Sequence, residues 1–354
     1  MHRWSYLVIE IRVSVFRFSI MTIELRCNES RFAFSKTKSY HSNLNMPTTP
    51  KQFEDFHSDE FGEITDVIFD GDNTIWDWVT YAVHAYEAMS QTIAEETGIP
   101  ESEVAAAMKR FYTMVGTMED ERLIQGLTAE GFFKDIPNFN CDKLAVKAQR
   151  AFTIERDKYL HPYEGIEEVI KTLHARGVKN RFLSDAPARQ AKLRIKRAKI
   201  GDYFEQVNAM PSRDPDNLPE KFRRKEKKGK YDVNFKVTEI PWEKPYTNLE
   251  EILKMTRAQI RKHVVIIGDN DRKDMELVRL YGCRGIHTVY GEPSKDFLKR
   301  LLRFAPEKVA LKNLAASQNQ EDVQNPTEYK GVIIKVDDPR EIYDVLNIHP
   351  PRSI

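Results

Sequence analysis

With 354 residues, 41% of them hydrophobic and 31% charged, the chain is long enough for a catalytic core plus a smaller unit, and its composition is that of a globular rather than a disordered or fibrous protein. Lys+Arg 55 against Asp+Glu 54 gives a formal net charge of +1, which supplies no general attraction to nucleic acid or an anionic membrane. Cys27, Cys141 and Cys283 are odd in number and widely spaced, which argues against a disulfide framework and fits a reducing, cytoplasmic setting.

Near the start, Leu7, Ile9, Ile11, Val13 and Val15 alternate with polar residues, a strand-like period of two. Glu10, Arg12 and Arg17 interrupt the apolar runs, so no stretch approaches the roughly 20 residues that cross a bilayer. Residues 26–50 are polar and Ser/Asn/Thr-rich, and 1–60 as a whole is expected to be a flexible leader, with Met21 or Met46 as alternative starts. The first core strand is expected over 65–70, an apolar run that ends in carboxylates and Gly71. Val79, Val83, Tyr86, Met89 and Ile93 then recur at helical spacing up to Gly98, and a second helix near Ser102 carries Val104, Met108, Phe111 and Val115. With further helical stretches around 128–133 and 143–160, residues 78–160 form an all-helical block.

After that block the pattern alternates. A helix with Ile166, Val169, Ile170 and Leu173 ends at Gly177, and a strand over 179–184 and a basic helix over 188–200 follow. The charged, Pro-containing stretch 211–243 has no sustained periodicity and is expected to be an excursion from the core. Its run from Lys221 to Lys230 has few aromatics between its cations, which suits a solvated surface or a flap that gathers anionic substrate better than a nucleic-acid site. A helix over 248–256, a strand over 264–268, a helix over 274–281 and strands over 285–289 and 332–336 complete the series. Such alternation implies an α/β fold, a Rossmann-like parallel sheet flanked by helices on both faces.

Two of these strands end in paired carboxylates: Asp70-Gly71-Asp72-Asn73-Thr74 follows one, and Gly268-Asp269-Asn270-Asp271-Arg272-Lys273-Asp274 follows the other. If the strands are neighbours, the carboxylates converge at one sheet edge, where a hard cation such as Mg2+ would relieve their repulsion. Ser184 at the end of a third strand and Lys244 in Trp242-Glu243-Lys244-Pro245 add a hydroxyl donor and a positive charge, the contacts that a phosphoryl group in transfer needs.

In this order the four segments resemble the signature motifs of the haloacid dehalogenase (HAD) superfamily, over about four-fifths of the chain, residues 65–346. The helical block resembles the cap of the phosphoglycolate phosphatase-like subgroup. The resemblance implies a catalytic core over 61–77 and 161–346 with an inserted all-helical cap domain over 78–160. It further implies that Asp70 is the nucleophile and Asp72 the general acid and base. Mg2+ would be held by Asp70, the backbone carbonyl of Asp72 and Asp269. Ser184, Lys244 and Thr74 would bind the phosphoryl oxygens, while Asp274 and Asn270 support the site.

The activity implied is Mg2+-dependent hydrolysis of a small phosphorylated metabolite through an aspartyl-phosphate. A phosphomutase or phosphotransferase on the same core, and a non-catalytic scaffold retaining the fold, are the rival readings. Three departures from the family pattern stand out: Gly71 where a larger apolar residue is common, Asn73 in place of Gly, and Asp185 in place of Asn. No Gly-rich phosphate loop, zinc-type His-Glu pair or serine nucleophile elbow occurs.

Overall fold

The protein is described from a computed structural model, which covers residues 11–13, 23–25, 50–212, 236–306 and 331–348. The chain divides into two compact units, Met1–Met46 and Pro47–Ile354. In the first, β1 (Ile11–Val13) pairs antiparallel with β2 (Ile23–Leu25), in register Arg12 opposite Glu24. The remainder of the alternating stretch 7–15 lies outside the described residues.

The second unit opens with α1 (Pro50–Phe56) and is organised by a seven-stranded, all-parallel sheet. Its strands are β3 (Asp66–Phe69), β4 (Lys179–Pro187), β5 (Gln206–Met210), β6 (Val237–Glu239), β7 (Val264–Gly268), β8 (Arg284–Thr288) and β9 (Val332–Val336), in the spatial order β6-β5-β4-β3-β7-β8-β9. The chain therefore builds outward from β3 in one direction and then returns to build in the other. The crevice at the carboxyl ends of β3 and β7 is where strand order reverses, the usual place for a ligand in an open α/β sheet.

Both sheet faces are covered, as a parallel sheet requires. Val67 and Phe69 of β3, with Val265 and Ile267 of β7, belong to one apolar cluster, and the alternate residues Ile68, Val264 and Ile266 belong to another. The first cluster runs on without a break into the helices between β3 and β4: α2 (Trp78–Thr97), α3 (Glu101–Val115), α4 (Leu123–Ala129), α5 (Cys141–Tyr159) and α6 (Ile166–Ala175). Asp77 caps α2 by accepting from the backbone N–H of Thr80, 2.8 Å, and Gly98 closes it in the left-handed region. No helix among the described residues is long and apolar enough to cross a membrane.

Several boundaries differ from those expected. β5 and β6 lie in or beside a region taken for irregular chain. Gln206 and Asn208 make β5 read as polar, but the buried Asn208 amide is satisfied by donating to the carbonyl of Phe182, 3.3 Å, and accepting from Gln206, 3.1 Å. The helix expected over 248–256 ends early as α8 (Leu249–Leu253), and a helix that was not expected, α9 (Arg257–His263), follows it, started by the capping box of Thr256 and Gln259. Around 128–133 the helix is instead α4, and Gly131 at φ 77° follows its end. Most of the expected excursion, 213–235, including the basic run, lies outside the described residues.

The expected leader reaches into the folded unit. Phe56 is fully buried, α1 packs against β9, and His57 donates to the carbonyl of Val345 at 2.9 Å. The second unit thus begins near Pro47 rather than at residue 61. A variant starting at Pro47 should keep the melting temperature of the full chain, whereas Phe56→Ala should cost about 3 kcal/mol and lower Tm by several degrees, as read by calorimetry.

Candidate active site

The parallel register pairs Phe69 of β3 with Ile267 of β7, and the N–H of Asp70 continues the ladder by donating to the carbonyl of Ile267, 2.9 Å. Asp70 and Asp269 therefore emerge side by side at the switch point. α10 (Asp274–Tyr281) begins just beyond and turns Asp274 back toward them. Its N–H donates to the carbonyl of Asn270, 2.8 Å, and its Oδ2 accepts from the N–H of Asn270, 3.2 Å. A glycine is needed at the end of β7, since a Cβ on Gly268 would lie 2.3 Å from the carboxyl carbon of Asp274.

Carboxylate oxygens of Asp70, Asp269 and Asp274 all lie within 4.8 Å of one another. Lys244 enters among them, its Nζ 2.6 Å from Asp70 and 2.6 Å from Asp274. Asp269 accepts from the Asn73 amide, 3.3 Å. Burial outweighs the neighbouring ammonium and, with the charge of Asp274, pushes Asp70 up to about 7. Burial, then repulsion from Asp70 and Asp274, holds Asp269 well above the usual carboxylate range. Lys244 moves the other way from what burial alone would do, because Asp274 and Asp70 hold its ammonium well above the ordinary lysine range. Three buried oxygen ligands with more negative charge than one ammonium balances are a donor set suited to a hard divalent cation. Asn73 Oδ1, buried without a hydrogen-bond partner, adds a further oxygen beside them.

The site faces a cleft of about 540 Å3, lined among others by Asp70, Asp72, Asn73, Ser184, Lys244 and Asp269. Ser184 accepts the N–H of Ala186 at 3.1 Å, which leaves its hydroxyl proton to be donated elsewhere. Asn270 and Asp274 also line the cleft. Thr74 is placed differently from expectation: it is fully buried, its hydroxyl 3.5 Å from that of Thr288, and it is not among the cleft residues. It packs the loop onto β8 rather than presenting a donor to the cleft. Of the expected metal ligands, the carboxylates of Asp70 and Asp269 belong to this cluster, whose third carboxylate is that of Asp274, while residue 72 was expected to offer its backbone carbonyl.

The departures have local accounts. Asn73 sits at φ 58°, a left-handed conformation that glycine and asparagine tolerate best, so the loop keeps a glycine-like bend. Asp185 accepts from the backbone N–H of Lys244, 3.0 Å, and pairs with Lys273. Burial would raise its carboxyl, but Lys244 and Lys273 hold it below the usual range. It thus tethers the segment that delivers Lys244. The residue that sequence reasoning missed is Arg194, on α7 (Ala188–Ala198), which binds Asp72 through Nη1 at 2.9 Å. Its signal was available: Ala188, Ala191 and Ile195 form the inward stripe of that helix, and Arg194 falls on it.

A model of haloacid dehalogenase-like hydrolases matches residues 66–276, more than half of the chain. The chain belongs to that family. The HAD match contains the residues that converge at the switch point: Asp70, Asp72, Ser184, Lys244, Asp269 and Asp274. No curated protein sequence is significantly similar to the chain. Similar solved structures include an L-2-haloacid dehalogenase from Xanthobacter autotrophicus, at 16% identity and TM-score 0.38, covering 80% of this chain and 98% of that one. A predicted phosphoglycolate phosphatase from Haemophilus somnus, at 13% and 0.39, covers 80% and 98%. A candidate HAD-hydrolase from Bacillus subtilis bound to magnesium, at 13% and 0.41, covers 81% and 100%.

The packing at the end of β7 gives this HAD site a direct test. Gly268→Ala should force Asp274 away from Lys244 and destabilise the protein by roughly 1–3 kcal/mol in chemical denaturation. An unchanged midpoint would mean that the close approach of Asp274 to the strand is not real.

Proposed function

We propose that the protein is a phosphatase acting on a small phosphomonoester, with Asp70 as nucleophile. The observation that carries this reading is the placement of Asp70: a carboxylate at the end of the central strand, open to the cleft, between an ammonium and a second carboxylate. In the first step an Asp70 oxygen attacks phosphorus and the bond to the leaving oxygen breaks as Asp72 supplies its proton. In the second, Asp72 takes a proton from water, which attacks the aspartyl-phosphate and frees Asp70. Lys244 and the Ser184 hydroxyl hold the phosphoryl oxygens. Asp70, Asp269 and the backbone carbonyl of Asp72, with Asp274 close by, would hold Mg2+, which when bound neutralises charge on the phosphate. The helical block 78–160 serves as the cap that excludes bulk water and selects the leaving group.

Asp70→Asn keeps the size of the side chain and removes the attacking charge. Turnover should fall by about 10^3-fold or more, roughly 4 kcal/mol in the barrier, in a phosphate-release assay. Retention of more than about a tenth of wild-type activity, a loss under 1.4 kcal/mol, would overturn the assignment.

Exhaustive EDTA treatment should abolish activity and Mg2+ should restore it. Because Asp70 is pushed up to about 7 by burial, it carries its proton below that pH, and a cation must displace it. Mg2+ affinity measured by calorimetry should therefore weaken as pH falls through about 7, with proton release on binding. Affinity that is flat between pH 5.5 and 8.5 would remove Asp70 from the ligand set.

A further inference from the structure

Arg194 occupies a position on α7 where the inward stripe calls for an apolar residue, and it is 3% exposed. A guanidinium so placed is costly unless its donors are taken up. Here Nη1 reaches both oxygens of Asp72, at 2.9 and 3.0 Å, Nη2 pairs with Glu119, and the guanidinium lies 5.6 Å from the centre of the Tyr81 ring. The indole N–H of Trp76 donates to Asp72 Oδ1 as well, 2.7 Å. Three segments distant in sequence thus meet at one cation: the loop after β3, helix α7, and the turn between α3 and α4. Held from behind by these donors, the Asp72 side chain still keeps 28% of its surface open. Arg194 itself is absent from the cleft lining.

We propose that Arg194 is a positioning residue for Asp72, with Glu119 of the helical block holding the guanidinium in turn. The inference rests on the phosphatase reading, in which Asp72 exchanges a proton with the leaving oxygen. Two contacts from one nitrogen, plus the indole, restrict rotation of the carboxylate and fix which way it faces. Proton transfer is sensitive to that aim, since a misplacement of about 1 Å is enough to cost about a hundredfold. Arg194 acts through Asp72 and touches neither the phosphate nor the nucleophile.

The test is a leaving-group series, kcat/KM for an alkyl phosphate against p-nitrophenyl phosphate, in Arg194→Gln, Asp72→Asn and the double variant. Only the alkyl leaving group needs a proton in the first step. Arg194→Gln should lose roughly a hundredfold on the alkyl ester and far less on the aryl ester. The double variant should be no slower than Asp72→Asn alone, because both changes remove one function. Glu119→Gln leaves the guanidinium on Asp72 and should give a weaker form of the same signature, and Arg194→Lys should restore part of the alkyl activity; both keep the test open should Arg194→Gln fail to fold. Equal losses on both esters in folded variants, or additive losses in the double variant, would overturn the role of Arg194. A wild type that releases phosphate from neither ester would instead overturn the phosphatase reading, and this inference with it.

Discussion

Lys244 places one ammonium 2.6 Å from both Asp70 and Asp274, with Asp269 alongside, and all four side chains are buried. The arrangement is electrostatically incomplete. Each ion taken from water loses several kcal/mol of hydration, and a single cation cannot repay three carboxylates. The imbalance shows in the upward shifts of Asp70 and Asp269, which burial drives and mutual repulsion reinforces. It also explains the supporting cast. Asn73 gives Asp269 a neutral donor, the backbone of Asn270 satisfies Asp274, and His287 donates to the carbonyl of Asp269 at 2.8 Å. A divalent cation among them would bring the formal charge of three carboxylates and one ammonium to zero.

The sheet makes that concentration of charge tolerable. β3 and β7 are buried on both faces and lie at the middle of seven strands, so the loops that carry Asp70 and Asp269 start from the most constrained backbone in the unit. The helices between β3 and β4 share one apolar cluster with the sheet, and polar ties reinforce the contact. Glu87 of α2 pairs with Arg300 at 2.6 Å, and Lys109 of α3 donates to the carbonyl of Leu302 at 3.1 Å. Asp72, Arg194 and Glu119 form a further tie, so contacts that seat the helical block also reach the loop after β3.

Much of this was legible in the amino-acid sequence, for reasons that differ by element. β7, α10 and β9 were expected within a residue of where they lie, because each is a continuous apolar run or a clean helical period bounded by glycine or charge. Asp70, Asp72, Ser184, Lys244 and Asp269, which line one cleft, were singled out because strand-end carboxylates and an ordered set of motifs leave a linear trace. Contacts that depend on tertiary placement left none. Nothing in Thr74 itself tells that its hydroxyl turns to Thr288, and nothing in Asp185 tells that it tethers Lys244 and Lys273 from 59 and 88 residues away. β5 was hidden by Gln206 and Asn208, whose amides are satisfied only once neighbouring strands are in place.

The loop after β3 owes its shape to close contacts at two glycines. A Cβ at Gly71 would stand 2.7 Å from the Phe182 ring and 3.0 Å from that of Trp76, so two aromatic rings fill the space where a side chain would sit. Those rings lie 5.9 Å apart, and Trp76 turns its indole N–H onto Asp72. Enlarging the glycine would displace Phe182 first and press on Trp76, whose indole bonds the Asp72 carboxylate. On the opposite side the loop rests on Gly291, where a Cβ would fall 1.6 Å from the carbonyl oxygen of Asn73. The left-handed bend at Asn73 is thus held between a glycine below and the Asp269 carboxylate beside it. The loop after β3 is thus braced from both sides, by the Phe182 and Trp76 rings at Gly71 and by Gly291 beneath Asn73, and these contacts hold Asp70 and Asp72 in place.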